Sequence, residues 1–346
     1  MFIGYCLLYV FIMKKAFIVF FLFLAACQNQ RSHVEYVDTE NISPVKLLSA
    51  DKVTVEKIFY PQSLSVFGDD LVCMCINQGA DHPLYLFDKN DFSFKGAFGD
   101  FGRGAGEFFD VNPYYFEKTD SSVFLNTNNY FETEVMFEND SIEIVNHRAL
   151  ANLTLNNLVK LNDSLFVCND NVHNEYCLFD IKKHRVMKNF SDFPACRMKF
   201  NEYDDRNNFM QRALVSNPKE LKLMSFYRYL PLMRLYDFDG NLIKEIKLKG
   251  LDQKNGSVDD FYDGGFLSFF VAPVVADDLI YVLFMNKNEE EFMKDPSIEL
   301  QVWDWNGKLL SKYRITEPFN LYTVSNRVLY GFSLREEDNC FFKVSL

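Results

Sequence analysis

The chain has 346 residues, of which 48% are hydrophobic and 24% are charged, so it is neither a disordered nor a low-complexity protein. Its length suits one large β domain or two ordinary domains. The formal net charge of −12 argues against a nucleic-acid partner, because phosphate binding needs clustered lysine and arginine side chains.

The N-terminal segment predicts export and lipid attachment. From Met13 the sequence reads MKKAFIVFFLFLAACQNQ, with two lysines, a short apolar run and then small residues. This order is typical of a secretory signal peptide, and the apolar run is shorter than the roughly 20 residues that span a membrane. LAAC resembles a bacterial lipobox, which implies cleavage before Cys27 and a diacylglycerol on its thiol. The alternative is a plain signal peptide with a chance cysteine. We also expect translation to begin at Met13, because the charged n-region then has its ordinary length.

These features divide the chain into three parts. Residues 1–26 are assigned to the signal peptide, and residues 27–49 to the lipidated cysteine and a flexible tether. The tether is predicted because Gln28 to Ser49 are mostly polar, with little apolar periodicity. Residues 50–346 form the folded body, which we expect to be a monomer held at the bacterial outer membrane by the lipid on Cys27.

A repeated phrase divides the folded body into β units. It combines alternating apolar residues, an aromatic residue, an acid and a turn. The copies are LYLFDKND from Leu84, YCLFDIKK from Tyr176, LMRLYDFDGN from Leu232 and LQVWDWNGK from Leu300. The acids of the first two copies, Asp88 and Asp180, lie about two blade lengths apart in the sequence. A degenerate copy, VMFENDSIEIV, lies between them and has Glu138 at the acid position. Repeats with this period are typical of propeller blades.

Each phrase predicts a hairpin that ends in the outer strand of a blade. The acid starts the turn, and Asp239-Gly240 or Asn306-Gly307 supports a tight one. The returning outer strands are FKGAF, MKNF, LIKEIKL and LLSKYRI. The last unit stops one strand short, and Val53 to Phe59 is expected to complete it and remove two exposed edges. The predicted fold is therefore all-β, a six-bladed β-propeller closed by an N-terminal strand in the last blade.

Three stretches carry a resemblance to a known family. The chain resembles the TolB-like six-bladed β-propeller lipoproteins of Bacteroidetes in these stretches. They are GDFGRGAGEF after the first blade, RALVSNPKELKLMSF in the fourth blade, and LQVWDWNGKLLSKYRI followed by TVSNRVLYGF near the C-terminus. The resemblance covers the mature body. It implies the propeller fold and a cell-envelope location, without an established reaction. Ala105 stands where the pattern usually has proline, and residues 217–220 lack the usual Asp-Gly, but neither departure affects the expected fold.

The glycine-rich stretch from Gly99 to Asp110 is predicted to be a corner between the outer strand of blade one and the inner strand of blade two. It lacks the lysine and hydroxyl residue of a P-loop, and no helix follows it. Such connections lie on the propeller face that most often binds ligands. Arg103, Glu107 and Asp110 are therefore ligand-binding candidates, with Arg103 suited to an anion. A simple pairing between Arg103 and Glu107 is the alternative.

Other acids lie near predicted inner strands. Asp259, Asp260 and Asp263 are potential members of a ring around the central channel with Asp110, and Asp263 is added to the ligand-binding candidates. The few histidines form no metal-binding pattern, and no GxSxG motif is present, so no metal ligand or catalytic residue is assigned. The acidic run NEEEF, residues 288–292, is predicted to be a solvated loop.

The cysteines suggest one candidate disulfide. Cys168 and Cys177 fall on consecutive strands of blade three, where a cross-strand bridge is conceivable. Cys73 and Cys75 point to the same side of one strand and are predicted to pack in the core.

These observations favour a binding protein without catalysis or cofactor. We expect a lipid-anchored cell-envelope protein that uses one propeller face to bind a protein, peptide or glycan. The alternative is a metal-dependent hydrolase or lactonase with a calcium-like ion held by carboxylates in the propeller funnel. A structural partner in a membrane complex is a third option, which predicts an exposed apolar patch.

Overall fold

The computed structural model describes residues 33–40, 46–55, 61–75, 80–102, 107–108, 117–119, 121–127, 131–138, 141–149, 158–170, 174–200, 202–252, 256–316, 319, 321–333 and 340–346. Within these residues, six sheets are arranged as a six-bladed β-propeller, which confirms the predicted fold class. Strands β1 to β3 precede the first blade and are β1 (His33–Val37), β2 (Lys46–Leu48) and β3 (Asp51–Thr54).

The first three blades each contain four strands in sequence order. Blade one consists of β4 (Pro61–Phe67), β5 (Asp70–Cys75), β6 (Leu84–Asp88) and β7 (Phe94–Phe98). A two-stranded sheet of β8 (Asp100–Phe101) and β9 (Glu107–Phe108) follows it. Blade two consists of β10 (Glu117–Lys118), β11 (Ser122–Thr127), β12 (Phe131–Glu138) and β13 (Ser141–Ala149). Blade three consists of β14 (Val159–Lys160), β15 (Leu165–Asn169), β16 (Tyr176–Asp180) and β17 (Arg185–Phe190).

The last three blades each recruit a strand from the N-terminal segment. Blade four consists of β18 (Arg212–Asn217), β19 (Lys222–Tyr227), β20 (Leu232–Asp237) and β21 (Leu242–Leu248), with β1 on its edge. Blade five consists of β22 (Ser268–Ala276), β23 (Leu279–Lys287), β24 (Ile298–Trp303) and β25 (Leu309–Ile315), with β2 on its edge. Blade six consists of β26 (Leu321–Ser325), β27 (Val328–Ser333), β28 (Cys340–Ser345) and β3.

The five copies of the repeated phrase form the third strands of blades one to five, as predicted, and the turns that follow them are described in blades one, three, four and five. In blade four, Asp237 Oδ1 accepts hydrogen bonds from the backbone N–H groups of Asp239 (3.0 Å) and Asn241 (2.8 Å). Gly240 completes this turn with a φ of 77°, which glycine adopts without strain. Asp304 accepts the equivalent two bonds in blade five. The marker acid is therefore a turn residue that holds its own backbone.

The ring closes through the predicted N-terminal strand. β3 pairs antiparallel with β28, with Thr54 opposite Cys340 and Val53 opposite Phe341. The strand ends at Thr54, earlier than the predicted Phe59, and residues 56–60 lie outside the described part of the chain. Phe341 of blade six also stacks on Phe92 of blade one, with ring centroids 4.9 Å apart. Strand pairing and aromatic packing together join the two ends of the chain.

The prediction of a flexible tether over residues 28–49 is wrong for two segments. β1 pairs in parallel with β21, from His33 opposite Lys244 to Val37 opposite Leu248. β2 pairs in parallel with β25. Val37 of β1 and Leu48 of β2 pack against the hydrophobic core, whereas Val34, Tyr36 and Leu47 are exposed. The two segments therefore show little apolar periodicity, and backbone pairing with the outer strands holds them in place. The chain therefore lies along blades four and five before it enters blade six.

The hydrophobic core lies between neighbouring blades. Phe67 of blade one stacks on Phe137 of blade two at 4.2 Å between ring centroids. Phe226 of blade four meets Phe270 of blade five at 5.6 Å in an edge-on arrangement. Cys73 and Cys75 are buried in such a cluster, as predicted. Each blade is therefore stabilised by apolar surface contributed by the blades beside it.

The described residues also contain three short helices that we did not predict, α1 (Tyr203–Phe209), α2 (Val258–Tyr262) and α3 (Glu289–Lys294). α3 replaces the predicted loop over residues 288–292, although its acids are solvent-exposed as expected. Asn288 caps it by accepting a hydrogen bond from the backbone of Glu291, whose carboxylate bonds back to Asn288. None of the described helices is long and apolar enough to cross a membrane.

The candidate disulfide pair is brought together. Cys168 and Cys177 lie directly opposite each other on β15 and β16, and both are buried. Their Sγ atoms are 2.9 Å apart. A cross-strand disulfide between them stays a prediction.

We expect this pair to be oxidised in an oxidising compartment, with two protons and two electrons passing to a thiol–disulfide oxidoreductase. The bridge closes a short loop and is worth about 2–3 kcal/mol. Thermal unfolding with and without reductant measures it, and reductant should lower the Tm of the native protein. The matched variant Cys168→Ala/Cys177→Ala should not respond to reductant. An equal response of both proteins would contradict the bridge.

Candidate functional site

The turns of each blade lie on two opposite faces because antiparallel strands alternate in direction. One face carries the turns between second and third strands and the connections from each outer strand to the next inner strand. We call it the connection face. The other carries the turns between first and second and between third and fourth strands, and we call it the hairpin face.

All three described helices lie on the connection face of blades three to five. α1 belongs to the connection between β17 and β18, α2 to that between β21 and β22, and α3 to the turn between β23 and β24. The Tyr262 hydroxyl donates to Asp205 Oδ1 at 2.9 Å and accepts from Asn208 Nδ2 at 3.1 Å, which joins α2 to α1. A methyl group on Gly264 would meet Glu289 Oε2 at 2.8 Å, so the end of α2 also approaches α3 closely.

An aromatic cluster supports α1 and α2. Phe209 is fully buried and packs edge-on against Phe261 of α2 and against Phe266, with ring centroids 5.5 Å away in both cases. Phe261 also meets Tyr229 at 4.9 Å. Because several rings interlock edge to face, the two helices form one packed layer over the blades.

A buried carboxylate lies between blades three and four, at the base of this layer. Glu175 directly precedes β16 and is completely buried. Its carboxylate accepts hydrogen bonds from Tyr227 Oη (2.5 Å), Ser191 Oγ (2.7 Å), Arg234 Nη1 (2.8 Å) and Tyr236 Oη (3.2 Å). These groups come from both blades, so the charge of Glu175 holds the blade interface together.

A second arginine completes the network. Arg212 Nε lies 3.6 Å from Glu175 Oε1, and an Nη group of Arg212 donates to the carbonyl oxygen of Glu175. The Arg212 guanidinium also lies over the ring of Tyr176, 4.7 Å from its centroid. Arg234 is bound on its other side by Glu245 at 2.8 Å. Two buried cations are thus balanced by two carboxylates.

The phenols in the network are neutral donors near neutral pH. Burial raises the pKa of Tyr227 and of Tyr236 well above the ordinary value, and the Glu175 carboxylate raises both further. Arg234 Nη1 also donates to the carbonyl oxygen of Asp192 at 2.7 Å, at the start of the connection that carries α1. The network therefore fixes the position of the connection face rather than presenting a reactive group.

The three helices give this face an acidic outer surface, which we call the acidic helix surface. Its solvent-exposed members are Asp204, Asp259, Asp260, Asp263, Glu289, Glu290, Glu291 and Asp295. Several acids of one sign in a small area create a negative potential that attracts cationic groups.

Two of the four sequence-predicted candidates, Asp263 and Glu107, lie in different connections of the connection face. Asp263 is exposed directly after α2, within the acidic helix surface. Glu107 lies on β9, between blades one and two, where a methyl group on Gly102 would collide with its carboxylate. Arg103 and Asp110 lie outside the described residues. A ligand-binding role for all four stays a prediction.

The structure gives the other acids and glycines local roles. Asp260 accepts hydrogen bonds from the N–H (2.8 Å) and the Oγ (2.9 Å) of Ser257, which caps α2.

Gly99 has a φ of 74°, and a methyl group there would meet the Phe108 ring at 2.9 Å. The predicted corner is thus a place of close backbone approach. Among the residues that the structure describes, no three His, Cys, Asp or Glu side chains come together as a metal site.

Sequence reasoning missed Glu175, Arg212 and Arg234. They lie on or beside three different strands, and only the ring geometry brings them together. One signal was present, since Arg234 interrupts the apolar alternation of LMRLYD at a buried position. A buried arginine requires an acidic partner, although its identity is not readable from one sequence.

Comparisons with known proteins agree with this architecture. A family model described as TolB-like 6-blade propeller-like matches residues 38–327. A presumed exported protein of Bacteroides fragilis shares 10% identity with a TM-score of 0.52, covering 90% of this chain and 98% of its own. A member of the DUF4221 family from Bacteroides vulgatus shares 10% identity with a TM-score of 0.54, covering 86% and 97%. At these identities the likeness concerns the fold alone. A search of the curated proteins found no match.

We expect Glu175→Gln to destabilise the fold strongly. The substitution leaves Arg212 and Arg234 buried with one carboxylate fewer, which should cost about 3 kcal/mol or more of unfolding free energy. Chemical denaturation measures the loss. The matched control Glu290→Gln removes a surface partner of Lys294 and should cost less than about 1 kcal/mol. Equal effects of the two substitutions would contradict a buried charge network.

Proposed function

The chain belongs to the TolB-like six-bladed propeller family, and from this premise we propose that it is a lipid-anchored binding protein of the bacterial cell envelope. Its ligand is a protein, peptide or glycan that docks on the connection face of blades three to five. One of the Bacteroides proteins with this fold is described as exported, which supports a location outside the cytoplasm.

One observation favours the connection face of blades three to five as the binding site. The described helices, the aromatic cluster and the Glu175 network all lie at the connection face of blades three to five. A propeller needs only short turns to join its strands, so an elaborated and internally braced face is not required for folding. Binding residues commonly lie on such connections above a rigid scaffold.

The chemistry of the face narrows the ligand class. The acidic helix surface favours a ligand with cationic groups, such as a basic peptide or a basic protein segment. Tyr262, whose side chain is 56% exposed, supplies an aromatic contact beside the acids. The aromatic cluster beneath holds these groups in place, which lowers the entropic cost of binding.

No specific observation favours catalysis. The alternative of a metal-dependent hydrolase with funnel carboxylates stays a prediction of the sequence, because Asp110 of the predicted carboxylate ring lies outside the described residues.

Lipid attachment at Cys27 is tested by mass spectrometry of the mature N-terminal peptide from the native membrane fraction. We expect the peptide to begin at Cys27 and to carry a diacylglycerol. The Cys27→Ser variant should appear in the soluble fraction. An unmodified peptide that runs through Cys27 would rule out the anchor and leave ligand binding to be judged separately.

Ligand binding is tested by calorimetric titration with a lysine-rich and a glutamate-rich peptide of equal length. We expect the lysine-rich peptide to bind and its affinity to fall as salt increases. The variant Asp204→Asn/Asp259→Asn/Asp263→Asn should weaken binding roughly tenfold, because three carboxylates are neutralised at the site.

The matched control neutralises three exposed acids on the hairpin face, Asp163→Asn/Asp239→Asn/Asp278→Asn, and should leave the affinity unchanged. Equal losses in both variants would show attraction to net charge alone. Failure of the lysine-rich peptide to bind would exclude a cationic peptide as the ligand.

A further inference from the structure

Strand β1 determines where the lipid-bearing residue can lie. β1 runs parallel to β21, and its first residue, His33, pairs with Lys244 near the start of that strand. β21 starts directly after the hairpin-face turn of blade four, so the chain enters β1 from the hairpin-face end of β21. The residues between Cys27 and His33 span no more than roughly 20 Å even when fully extended. Cys27 is therefore confined to the neighbourhood of that end.

Charged contacts hold the N-terminal segment on the propeller. Glu35 forms an ion pair with Lys244 at 2.6 Å, and Asp38 pairs with Lys249 at 3.5 Å. Farther along, Lys312 Nζ donates to the carbonyl oxygen of Thr39 at 2.7 Å. Because side chains and backbone both bind this segment, the chain joins the propeller at a fixed position on the outer edge of blade four, and the lipid-bearing residue lies within reach of it.

A basic and partly apolar surface adjoins this position on blade three. We call it the basic hairpin, and it comprises residues 182–188, KKHRVMK, at the hairpin-face turn and the start of β17. All of these residues are solvent-exposed, including Val186 (46%) and Met187 (42%). Lys188 Nζ donates to the carbonyl oxygen of Asp239 at 2.9 Å, in the turn that leads into β21. The basic hairpin thus reaches the blade on which β1 lies.

The basic hairpin retains net positive charge. Lys183 pairs with Asp180 at 2.8 Å, whereas Lys182 and Arg185 form no ion pair within the described part of the chain. No described strand covers the outer edge of β17, unlike the edges of β21 and β25. Lysine and arginine side chains beside exposed apolar groups are suited to the headgroup region of an anionic bilayer.

We propose that the basic hairpin lies against an anionic phospholipid surface, the one that receives the lipid on Cys27. This rests on the proposed function, since the lipid supplies one of the two signals that stable anchoring requires. The acidic helix surface lies on the opposite face and is repelled by the same lipids, as are the exposed acids Asp163, Asp239 and Asp278 of the hairpin face, so the contact with the lipids is confined to the basic hairpin. The propeller is thereby oriented with its connection face away from the membrane, open to ligand.

Lysine footprinting tests this orientation. The lipidated full-length protein is added to phosphatidylethanolamine vesicles containing phosphatidylglycerol and treated with a membrane-impermeant amine-acylating reagent. Mass spectrometry then compares each lysine with the same residue of Cys27→Ser protein in solution. We expect the labelling of Lys182 and Lys183 to fall several-fold on the vesicles. Lys199, exposed on the connection face, should be labelled equally in both states.

Charge-reversed variants distinguish membrane contact through the basic hairpin from attraction that depends only on the net charge of the protein. Lys182→Glu/Arg185→Glu/Lys188→Glu should abolish the protection of Lys183. The matched variant Arg197→Glu/Lys199→Glu/Arg228→Glu makes the same charge change on the connection face and should retain that protection. Equal loss of protection in the two variants would overturn the assignment of this surface.

Two further outcomes are decisive. Protection of Lys199 instead of Lys182 would overturn the orientation, and protection that persists on neutral phosphatidylcholine vesicles would overturn the role of charge. Failure of the lipid anchor is recognised separately, by an unmodified Cys27 peptide. The Cys27→Ser protein mixed with the anionic vesicles then tests the basic hairpin alone. Labelling of Lys182 and Lys183 equal to that in solution would overturn the proposal.

Discussion

The pairing of β3 with β28 is the constraint on which the ring depends. Each blade buries its apolar faces against two neighbours, so an open ring would leave one face of blade one and one of blade six in water. Four register pairs between Asp51–Thr54 and Cys340–Lys343 join these blades through the backbone, and Phe92 and Phe341 continue the contact with their rings.

The Glu175 network shows how a rigid ring supports a specialised face. Burying Glu175 with Arg212 and Arg234 is unfavourable unless every charge is paired, and here tyrosine and serine hydroxyls supply the remaining hydrogen bonds. A network of this kind tolerates little displacement. It therefore restrains the connection that carries α1 relative to blades three and four. The acidic helix surface is held in a defined shape as a result.

The sequence predicted the parts of the fold that repeat. The third strands and their turns were predictable because Asp237 and Asp304 act on their own neighbours, so the signal is local. β1 and β2 were missed since their partners are distant outer strands and each strand packs one apolar residue, Val37 or Leu48, against the core. The helices are too short for apolar periodicity, and only their capping residues, Ser257 and Asn288, gave a local sign of them. The Glu175 network joins residues from two blades, so its only local sign is Arg234 within an apolar strand, and its partners are not readable from the sequence.

The parallel attachment of β1 has a mechanical consequence. A pull on the chain before His33 acts along the strand, so the five register pairs of β1 share the load in shear instead of opening one at a time. β2 forms a second clamp farther along the chain. Tension applied to the N-terminal segment is thereby borne by blades four and five, and the strand that closes the ring is shielded from it.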